Sequence, residues 1–166
     1  SILRHGPSSR AEIAARTQFT RPAITQMVQD LTDMDLVVEH EARRGQRGQP
    51  ARPVALNGAA GFAVGVNFSL TYLEIAVVDL AGVVVLTHQA PLADHTPEAI
   101  AAVVQQELGR LAPAQGLDFG KMVGMGVSLP SDFYPDGSLA THMAFPNLKG
   151  DNLERRFGGD IGVPIF

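Results

Sequence analysis

Apolar residues recur at helical spacing in the first third of the chain. Ile24, Met27, Val28 and Leu31 recur at spacings of three and four residues, so all four are expected on one face of a helix, against a core. Thr20 precedes this run, and a hydroxyl side chain at that point is a favourable helix cap. The pattern therefore predicts a helix that begins after Thr20 and buries one face.

A shorter helix is predicted before this one. Ser9 is followed three residues later by Glu12, the spacing at which each side chain can bond the free backbone N–H of the other at a helix start. We expect this helix to end near Thr17, with Gln18-Phe19 as the turn. A short helix, a tight turn and a longer helix are typical of a helix-turn-helix, although a small helical bundle with a solvated outer face fits the periodicity equally well.

The following segment favours one of these two interpretations. Residues 36–41 and 53–56 have the composition of strands, and the basic, glycine-rich residues between them would form the tip of a hairpin. Such a hairpin directly after a helix-turn-helix is a wing, which favours DNA binding; a winged helix used for protein contacts stays an alternative. The arginines expected to contact phosphates or a minor groove are Arg43, Arg44, Arg47 and Arg52.

Polar side chains on the outer face of the longer helix are candidate base contacts. Glutamine can bond N6 and N7 of adenine, and arginine can bond O6 and N7 of guanine. The hairpin arginines would instead set the affinity and its salt dependence. The candidate base contacts are Arg21, Thr25, Gln26 and Gln29.

The remainder of the chain has the pattern of an α/β domain. Turn-rich residues 57–61 predict a boundary that divides the chain into domains over residues 1–57 and 58–166. Strands followed by alternating helix and strand indicate a mixed sheet. The predicted elements are strands over 62–66, 73–78 and 83–87, a loop over 88–97, a helix over 99–111, a strand over 122–129, a loop over 130–137 and a short helix over 148–157.

Glycine and turn residues single out two places in this domain. Gly124 and Gly126 interrupt the strand over 122–129 and predict a close approach by another segment. The polar stretch 67–71 between the first two strands is predicted to be a turn that almost has the form of a phosphate-binding loop.

Composition and charge narrow the class of protein. The 166 residues include no cysteine, which excludes disulfides and cysteine-ligated zinc within this chain and fits a cytoplasmic location. No stretch approaches the roughly 18 apolar residues of a membrane span, so no membrane association is expected. The first 57 residues hold eight basic and six acidic side chains, and the rest hold five and eleven, which indicates two modules with different partners. Because the chain starts within a predicted helix and stops within a predicted strand, we expect an internal piece of a longer protein.

The order and spacing of five segments resemble the ROK family (repressors, open reading frames and kinases), and in particular its transcriptional regulators of the NagC, Mlc and XylR type. The resemblance implies a winged helix-turn-helix followed by the first lobe of an actin/hexokinase-type, ribonuclease H-like α/β domain. It also implies a homodimer or tetramer that represses sugar-utilisation genes, with double-stranded operator DNA and a sugar or sugar phosphate as partners. The segments are SRAEIAARTQFTRPAITQMVQDL, GQPARPVALN, GFAVGVNFSLTYLEIAVVDLAG, GMGVSLP and PNLKG.

The kinases of this family carry a phosphate-binding turn D-x-G-G-T after the first strand. The matching residues here are Asn67, Phe68, Ser69, Leu70 and Thr71, and only the threonine is retained. Side chains replace the glycines that would let backbone N–H groups approach a phosphate, and a neutral amide replaces the acid that would help hold Mg²⁺. We therefore expect no enzyme activity, with a ROK-type sugar kinase as the alternative.

The resemblance also implies a sugar site. Asn147, in Pro146-Asn147-Leu148, matches the family's sugar-binding asparagine, and Ser131 replaces the last glycine of the family's GxGxPG motif. An amide matches vicinal hydroxyl groups in its donors and acceptor. The family's catalytic aspartate and zinc motif would follow Phe166, so no metal or cofactor is expected in this chain and zinc only in a part beyond it.

Overall fold

The computed structural model of the protein describes residues 2–41, 51–129, 132, 134–136, 138–140 and 164. The chain divides into two compact units. The first unit comprises residues 1–60 with residues 80–83, and the second comprises residues 61–79 with residues 84–166. No helix in the described ranges combines the length and the apolar character needed to cross a membrane.

In the residues that the structure describes, the first unit has three helices followed by a two-stranded antiparallel sheet. Its core contains Ile13 and Ala14 from the second helix, Ile24 and Val28 from the third, and residues of both strands. The strands are shorter than the sequence predicts. The elements are α1 (Ile2–His5), α2 (Arg10–Thr17), α3 (Arg21–Asp33), β1 (Val37–Glu39) and β2 (Val54–Leu56).

The predicted start and end of α2 are confirmed. The Ser9 hydroxyl accepts from the backbone N–H of Glu12 at 3.3 Å, and the Glu12 carboxylate accepts from the backbone N–H of Ser9 at 2.7 Å. The two side chains thus satisfy two N–H groups that a helix start leaves unpaired. Gln18 ends the helix in a left-handed conformation with φ 62°, and Thr20 caps α3 as predicted.

The expectation that Met27 faces the core is wrong. Ile24 and Val28 are each 3% exposed, whereas Met27 is 42% exposed. Residues three apart in an α-helix point in directions that differ by about 60°. Met27 therefore lies at the edge of the stripe that Ile24, Val28 and Leu31 define. A spacing of three alone therefore did not distinguish the edge of the buried face from its centre.

The start of the first unit is tied to its sheet through Ser8. This residue forms an antiparallel bridge with Val54, in which Ser8 N donates to Val54 O at 3.0 Å and Val54 N donates to Ser8 O at 2.9 Å. Its buried hydroxyl accepts from Arg16 Nη1 at 2.8 Å and donates to the carbonyl of Gly6 at 3.0 Å. The segment before α2 and the strand β2 are therefore held together by both backbone and side-chain bonds.

In the described residues, a four-stranded mixed sheet forms the centre of the second unit. Its strand order is β5-β4-β3-β6; β3 and β6 run parallel, and the other neighbours are antiparallel. The predicted mixed α/β sheet is confirmed. The elements are β3 (Phe62–Phe68), β4 (Tyr72–Asp79), β5 (Val84–Pro91), α4 (Pro97–Ala114) and β6 (Met122–Ser128), with 3₁₀ turns at Gly58–Ala60 and Phe119–Lys121.

One face of this sheet carries the core. Residues at every second position of β3 and β4 are buried, as the two-residue period of a strand requires. They pack with α4 residues that recur at helical spacing, namely Ile100, Val104 and Leu108. Thr96 caps α4, with its hydroxyl accepting from Ala99 N at 3.3 Å.

Three predicted features of the second unit are corrected. Asn67 and Phe68 belong to β3 rather than to the turn, because Phe68 continues the buried alternation and pairs with Leu73. His88 to Pro91 belong to β5 rather than to a loop, because β4 supplies backbone partners up to Pro91. Gly126 itself is not a point of close approach, since a Cβ added there would meet nothing within 4 Å, but Met125, between the two glycines, donates its backbone N–H to Pro164 O at 2.8 Å.

Two valines of this sheet offer a matched test of where the core lies. Val77 is 1% exposed and Val84 is 57% exposed. We expect Val77→Ala to lower the free energy of unfolding by about 2 kcal/mol, because it removes buried apolar surface and leaves a cavity. Val84→Ala should cost less than about 0.5 kcal/mol. Urea denaturation of both variants checks this, and equal losses would contradict the assignment of the buried face.

Candidate functional site

The four candidate base contacts lie on α3, and all four are exposed. The helix buries Ile24 and Val28, so its polar residues occupy the part of its surface that does not pack on the core. Thr20 caps the helix, Pro22 lies in its first turn, and no acidic residue occurs there. The structure thus presents Arg21, Thr25, Gln26 and Gln29 together on one accessible helix.

Three of these side chains have partners on their own helix. The Thr25 hydroxyl donates to the carbonyl of Arg21 at 2.9 Å. Gln26 Nε2 donates to Asp30 Oδ1 at 2.7 Å, and Gln29 Nε2 donates to Asp33 Oδ1 at 2.8 Å. Asp30 and Asp33 are not among the predicted site residues, although their spacing of four residues from the glutamines is a usable signal.

The arginines predicted at the hairpin divide into two groups. Arg52 lies two residues before β2 and is exposed. Arg43, Arg44 and Arg47 lie outside the described residues, so their predicted contacts with phosphates stay predictions. An ion pair that the sequence did not reveal joins α2 to β1, where Arg10 donates to the carboxylate of Glu39.

The stretch predicted to resemble a phosphate loop has a different form. With Asn67 and Phe68 in β3, only Ser69, Leu70 and Thr71 connect the strands. Phe68 is 2% exposed and Leu70 is 57% exposed, so one bulky side chain is fixed in the core and the other covers the outside of the turn.

The backbone of this turn is also engaged. Ser69 N donates to Tyr72 O at 2.9 Å, and the carbonyl of Leu70 lies 2.8 Å from His95 Nε2. Because a carbonyl only accepts, this ring nitrogen carries the hydrogen. Asn67 Nδ2 donates to the Glu74 carboxylate at 3.3 Å. The amide that replaces the kinases' acid therefore has a partner within the sheet.

A groove of about 720 Å³ lies on the sheet face opposite the core. Its floor consists of Gly65, Ala76 and Gly126, which are neighbours across three strands. Next to them runs a polar row in which Glu74 accepts from Asn67 and, at 2.6 Å, from Gln89 Nε2. The floor has little side-chain bulk, and the row supplies amide and carboxylate groups along one side.

A charged cluster links α4 to β5 on the other side of the sheet. The Glu107 carboxylate lies 2.7 Å from Arg110 Nη2 and 3.0 Å from His88 Nε2. The hydrogen bond from Arg110 lowers the pKa of Glu107, its positive charge and the contact with His88 act in the same direction, and partial burial opposes them. This cluster is a polar connection between helix and sheet.

The predicted sugar-binding residues cannot be placed in this site. Ser131 and Asn147 both lie outside the described residues. Among the residues that the structure describes, no group of three or more histidine, aspartate or glutamate side chains could hold a metal ion.

Comparison with known proteins shows similarity along the whole chain. The protein y4fQ of Sinorhizobium fredii is 29% identical over 164 residues, which cover 98% of this chain and 42% of that protein. The xylose repressor of Bacillus subtilis is 26% identical over 99% of this chain and 43% of its own length. The Escherichia coli regulator NagC is 22% identical over 94% of this chain and 39% of its own length. No protein-family model matches the chain.

Solved structures share the fold to different extents. A ROK family transcriptional regulator, described as a homologue of the Escherichia coli Mlc protein, matches 99% of this chain with a TM-score of 0.68 and 21% identity, over 42% of its own chain. A polyphosphate/ATP-glucomannokinase from an Arthrobacter species matches 64% of this chain and 43% of its own, with a TM-score of 0.54 and 18% identity.

These similarities confirm the predicted resemblance to the ROK regulators. The relatives that cover nearly all of the chain and have a named function are named as transcriptional repressors or regulators, while the kinase matches about two thirds of it. The chain spans about two fifths of the length of these relatives.

The Glu107 cluster gives a prediction for pH. Because the pKa of Glu107 is lower in the folded protein, the ionised carboxylate stabilises the fold above its unfolded pKa, and this contribution is lost as the pH falls through the folded pKa. Glu107→Gln should therefore be less stable than the wild type at pH 7, with the difference shrinking below about pH 5.

Denaturation curves between neutral and acid pH measure this difference. Glu41→Gln, which changes an exposed carboxylate of the first unit, is the control and should follow the wild type. A gap between Glu107→Gln and the wild type that stays constant over the whole pH range would contradict the assignment.

Proposed function

From this similarity to proteins named as sugar repressors, we propose that the protein is a DNA-binding transcriptional repressor of sugar-utilisation genes, controlled by a sugar or a sugar phosphate. The observation that carries the proposal is that relatives named as xylose repressor and NagC match nearly all of the chain, including the helices and hairpin of the first unit. The glucokinase and the glucomannokinase matched in structure cover about two thirds of it.

The first unit would be a winged helix-turn-helix. In support, α2 and α3 are separated by three residues, Gln18 to Thr20, and the antiparallel pair β1–β2 follows them with a basic connection. In this arrangement α3 enters the major groove as the recognition helix, and the hairpin contacts the backbone or a minor groove. The extra bridge of Ser8 to β2 would hold the hairpin base against the helices.

Charge and side-chain chemistry assign different roles to the two elements. On α3, glutamine and arginine side chains would contact base edges. The four arginines of the hairpin would neutralise phosphates, which increases the affinity for all sequences and makes it depend on salt. A module for protein contacts would not need four arginines within ten residues, so DNA is the favoured partner.

The second unit would sense the sugar. Asn147 and Ser131 are the residues proposed to bind its hydroxyl groups, on the strength of their match to the family motifs. Sugar binding would change the geometry of a homodimer or tetramer, so that two winged helices no longer fit two operator half-sites. The protein would act in the cytoplasm without a cofactor in this chain.

A sugar kinase is the second candidate, because sugar kinases share the fold of the second unit. The three-residue turn argues against it. Leu70 has isobutyl bulk where a phosphate would need a glycine, and the Asn67 side chain, already bonded to Glu74, carries no charge for Mg²⁺. The protein would thus keep the architecture of a kinase lobe and use it for sensing.

The division of roles on DNA can be tested with three variants. Gln26→Ala should change the preference among operator variants. Arg52→Ala should weaken binding to all sequences and make the slope of log K against log salt less negative by about 0.9, the value for one phosphate contact. Arg47→Ala should behave in the same way.

Fluorescence anisotropy with DNA from the upstream region of the gene, over a series of salt concentrations, measures both effects. Lys121→Ala removes a positive charge from the second unit and should leave the slope unchanged. Equal losses on every operator variant for Gln26→Ala would refute base recognition by this residue, and the absence of salt-sensitive binding would refute the repressor.

Enzyme activity can be tested directly. We expect no sugar-dependent hydrolysis of ATP by the protein with a panel of hexoses and pentoses in a coupled assay, because the turn cannot cradle a phosphate. A ROK sugar kinase assayed in parallel is the positive control. ATP hydrolysis that depends on one sugar would contradict this expectation, and the sugar kinase would then be the favoured function.

A further inference from the structure

The two acidic residues at the end of α3 have a specific relation to the candidate base contacts. Asp30 lies one helical turn after Gln26, and Asp33 one turn after Gln29. Each carboxylate accepts a short hydrogen bond from the glutamine amide nitrogen, at 2.7 and 2.8 Å. The same pairing thus occurs twice on one exposed helix.

The chemistry of this pairing fixes the direction of the amide. An ionised carboxylate only accepts hydrogen bonds, whereas a glutamine amide has two N–H donors and one carbonyl oxygen. The nitrogen must therefore lie against the aspartate, since the opposite orientation would place two acceptors in contact. One N–H is used, and the carbonyl oxygen and the second N–H remain for another partner.

We propose that Asp30 and Asp33 are positioning residues for base recognition, each holding the glutamine one turn before it in the orientation that pairs with a base edge. This inference rests on the proposed DNA binding. The oxygen and the second N–H of the amide are the pair of groups that recognise N6 and N7 of adenine. An amide already held in place loses less conformational freedom when DNA binds.

The charges of the aspartates support a role in specificity. Two negative side chains on a helix that approaches DNA repel phosphates and lower the affinity for every sequence. The benefit of the aspartates would be better discrimination between bases. An amide in a fixed orientation pairs fully with one base, whereas against another base a donor or an acceptor of the interface is left unpaired. The Gln–Asp pairs would thus lower the affinity for all DNA sequences and increase the preference for the operator sequence.

The main experiment compares Asp30→Ala with a charge-matched control. The measured quantity is the ratio of the Kd for an operator altered at the base recognised by Gln26 to the Kd for the unaltered operator. We expect Asp30→Ala to lower this ratio by about fivefold, the lower end of what a bidentate contact contributes, while binding to non-specific DNA becomes tighter. In a Gln26→Ala background the same change should have no further effect on the ratio.

Asp35→Asn is the control. The substitution removes one negative charge, as Asp30→Ala does. The carboxylate of Asp35 has no hydrogen-bond or ion-pair partner among the described residues, and asparagine tolerates the backbone conformation of this residue at φ 60°. This variant should tighten non-specific binding and leave the ratio unchanged. A wild-type ratio in Asp30→Ala, or an equal change with and without Gln26, would overturn the proposal.

A second measurement does not need DNA. In the free protein, the amide proton that Gln26 donates to Asp30 should resonate downfield of its position in Asp30→Ala, and Asp35→Asn should leave this resonance at its wild-type position. An unchanged resonance in Asp30→Ala would overturn the positioning even if the protein binds its operator. A resonance that moves as expected in a protein without affinity for double-stranded DNA would overturn the proposed function, and the role in base recognition with it.

Discussion

The alternation of β3 is the constraint on which the second unit depends. This strand lies between β4 and β6, antiparallel to one and parallel to the other, so its register determines which residues of both neighbours face the helix. Phe62, Val64, Val66 and Phe68 are all buried. A shift by one residue would place Asn67 in the core and four large apolar side chains on the opposite face. The groove with its small floor and polar row is the other result of the same alternation.

The described part of the first unit has no comparable central strand and depends on contacts between short elements. Val54, with no exposed surface, joins the core that α2 and α3 form and also bonds the backbone of Ser8. The strand β2 is thus fixed from two directions although only three residues long. This arrangement leaves the polar side of α3 without a structural task in the described part of the unit, which is why that side is the best candidate for a contact with another molecule.

Much of this architecture follows from local sequence. The caps at Ser9, Thr20 and Thr96 were predictable because a hydroxyl and its partner N–H lie within three residues. The errors arose where a partner distant in sequence decides the structure. The polarity of Asn67 predicts a turn, yet the residue belongs to β3 because the antiparallel register with β4 pairs it with Glu74.

The residues of the candidate site could likewise be predicted only in part from local sequence. The exposed residues of α3 could be predicted from helical periodicity, since Ile24 and Val28 define the buried side. The partners of Gln26 and Gln29 do not follow from apolar spacing, which carries no information about polar pairs four residues apart. The reduction of the phosphate-like stretch to a three-residue turn also required the structure, as only the burial of Phe68 shows where β3 ends.

The open floor of the sheet gives the protein a practical property. A side chain at position 126 would point into free space, the backbone there is an ordinary strand, and the chain has no cysteine. A single thiol introduced at that position would be unique in these 166 residues and could carry a fluorophore without disturbing the core. Such a label would sit beside Gly65 and Ala76, where any ligand, helix or second molecule that covers the groove would change its environment. A label at position 126 would thus report directly whether the groove on this face of the sheet is occupied.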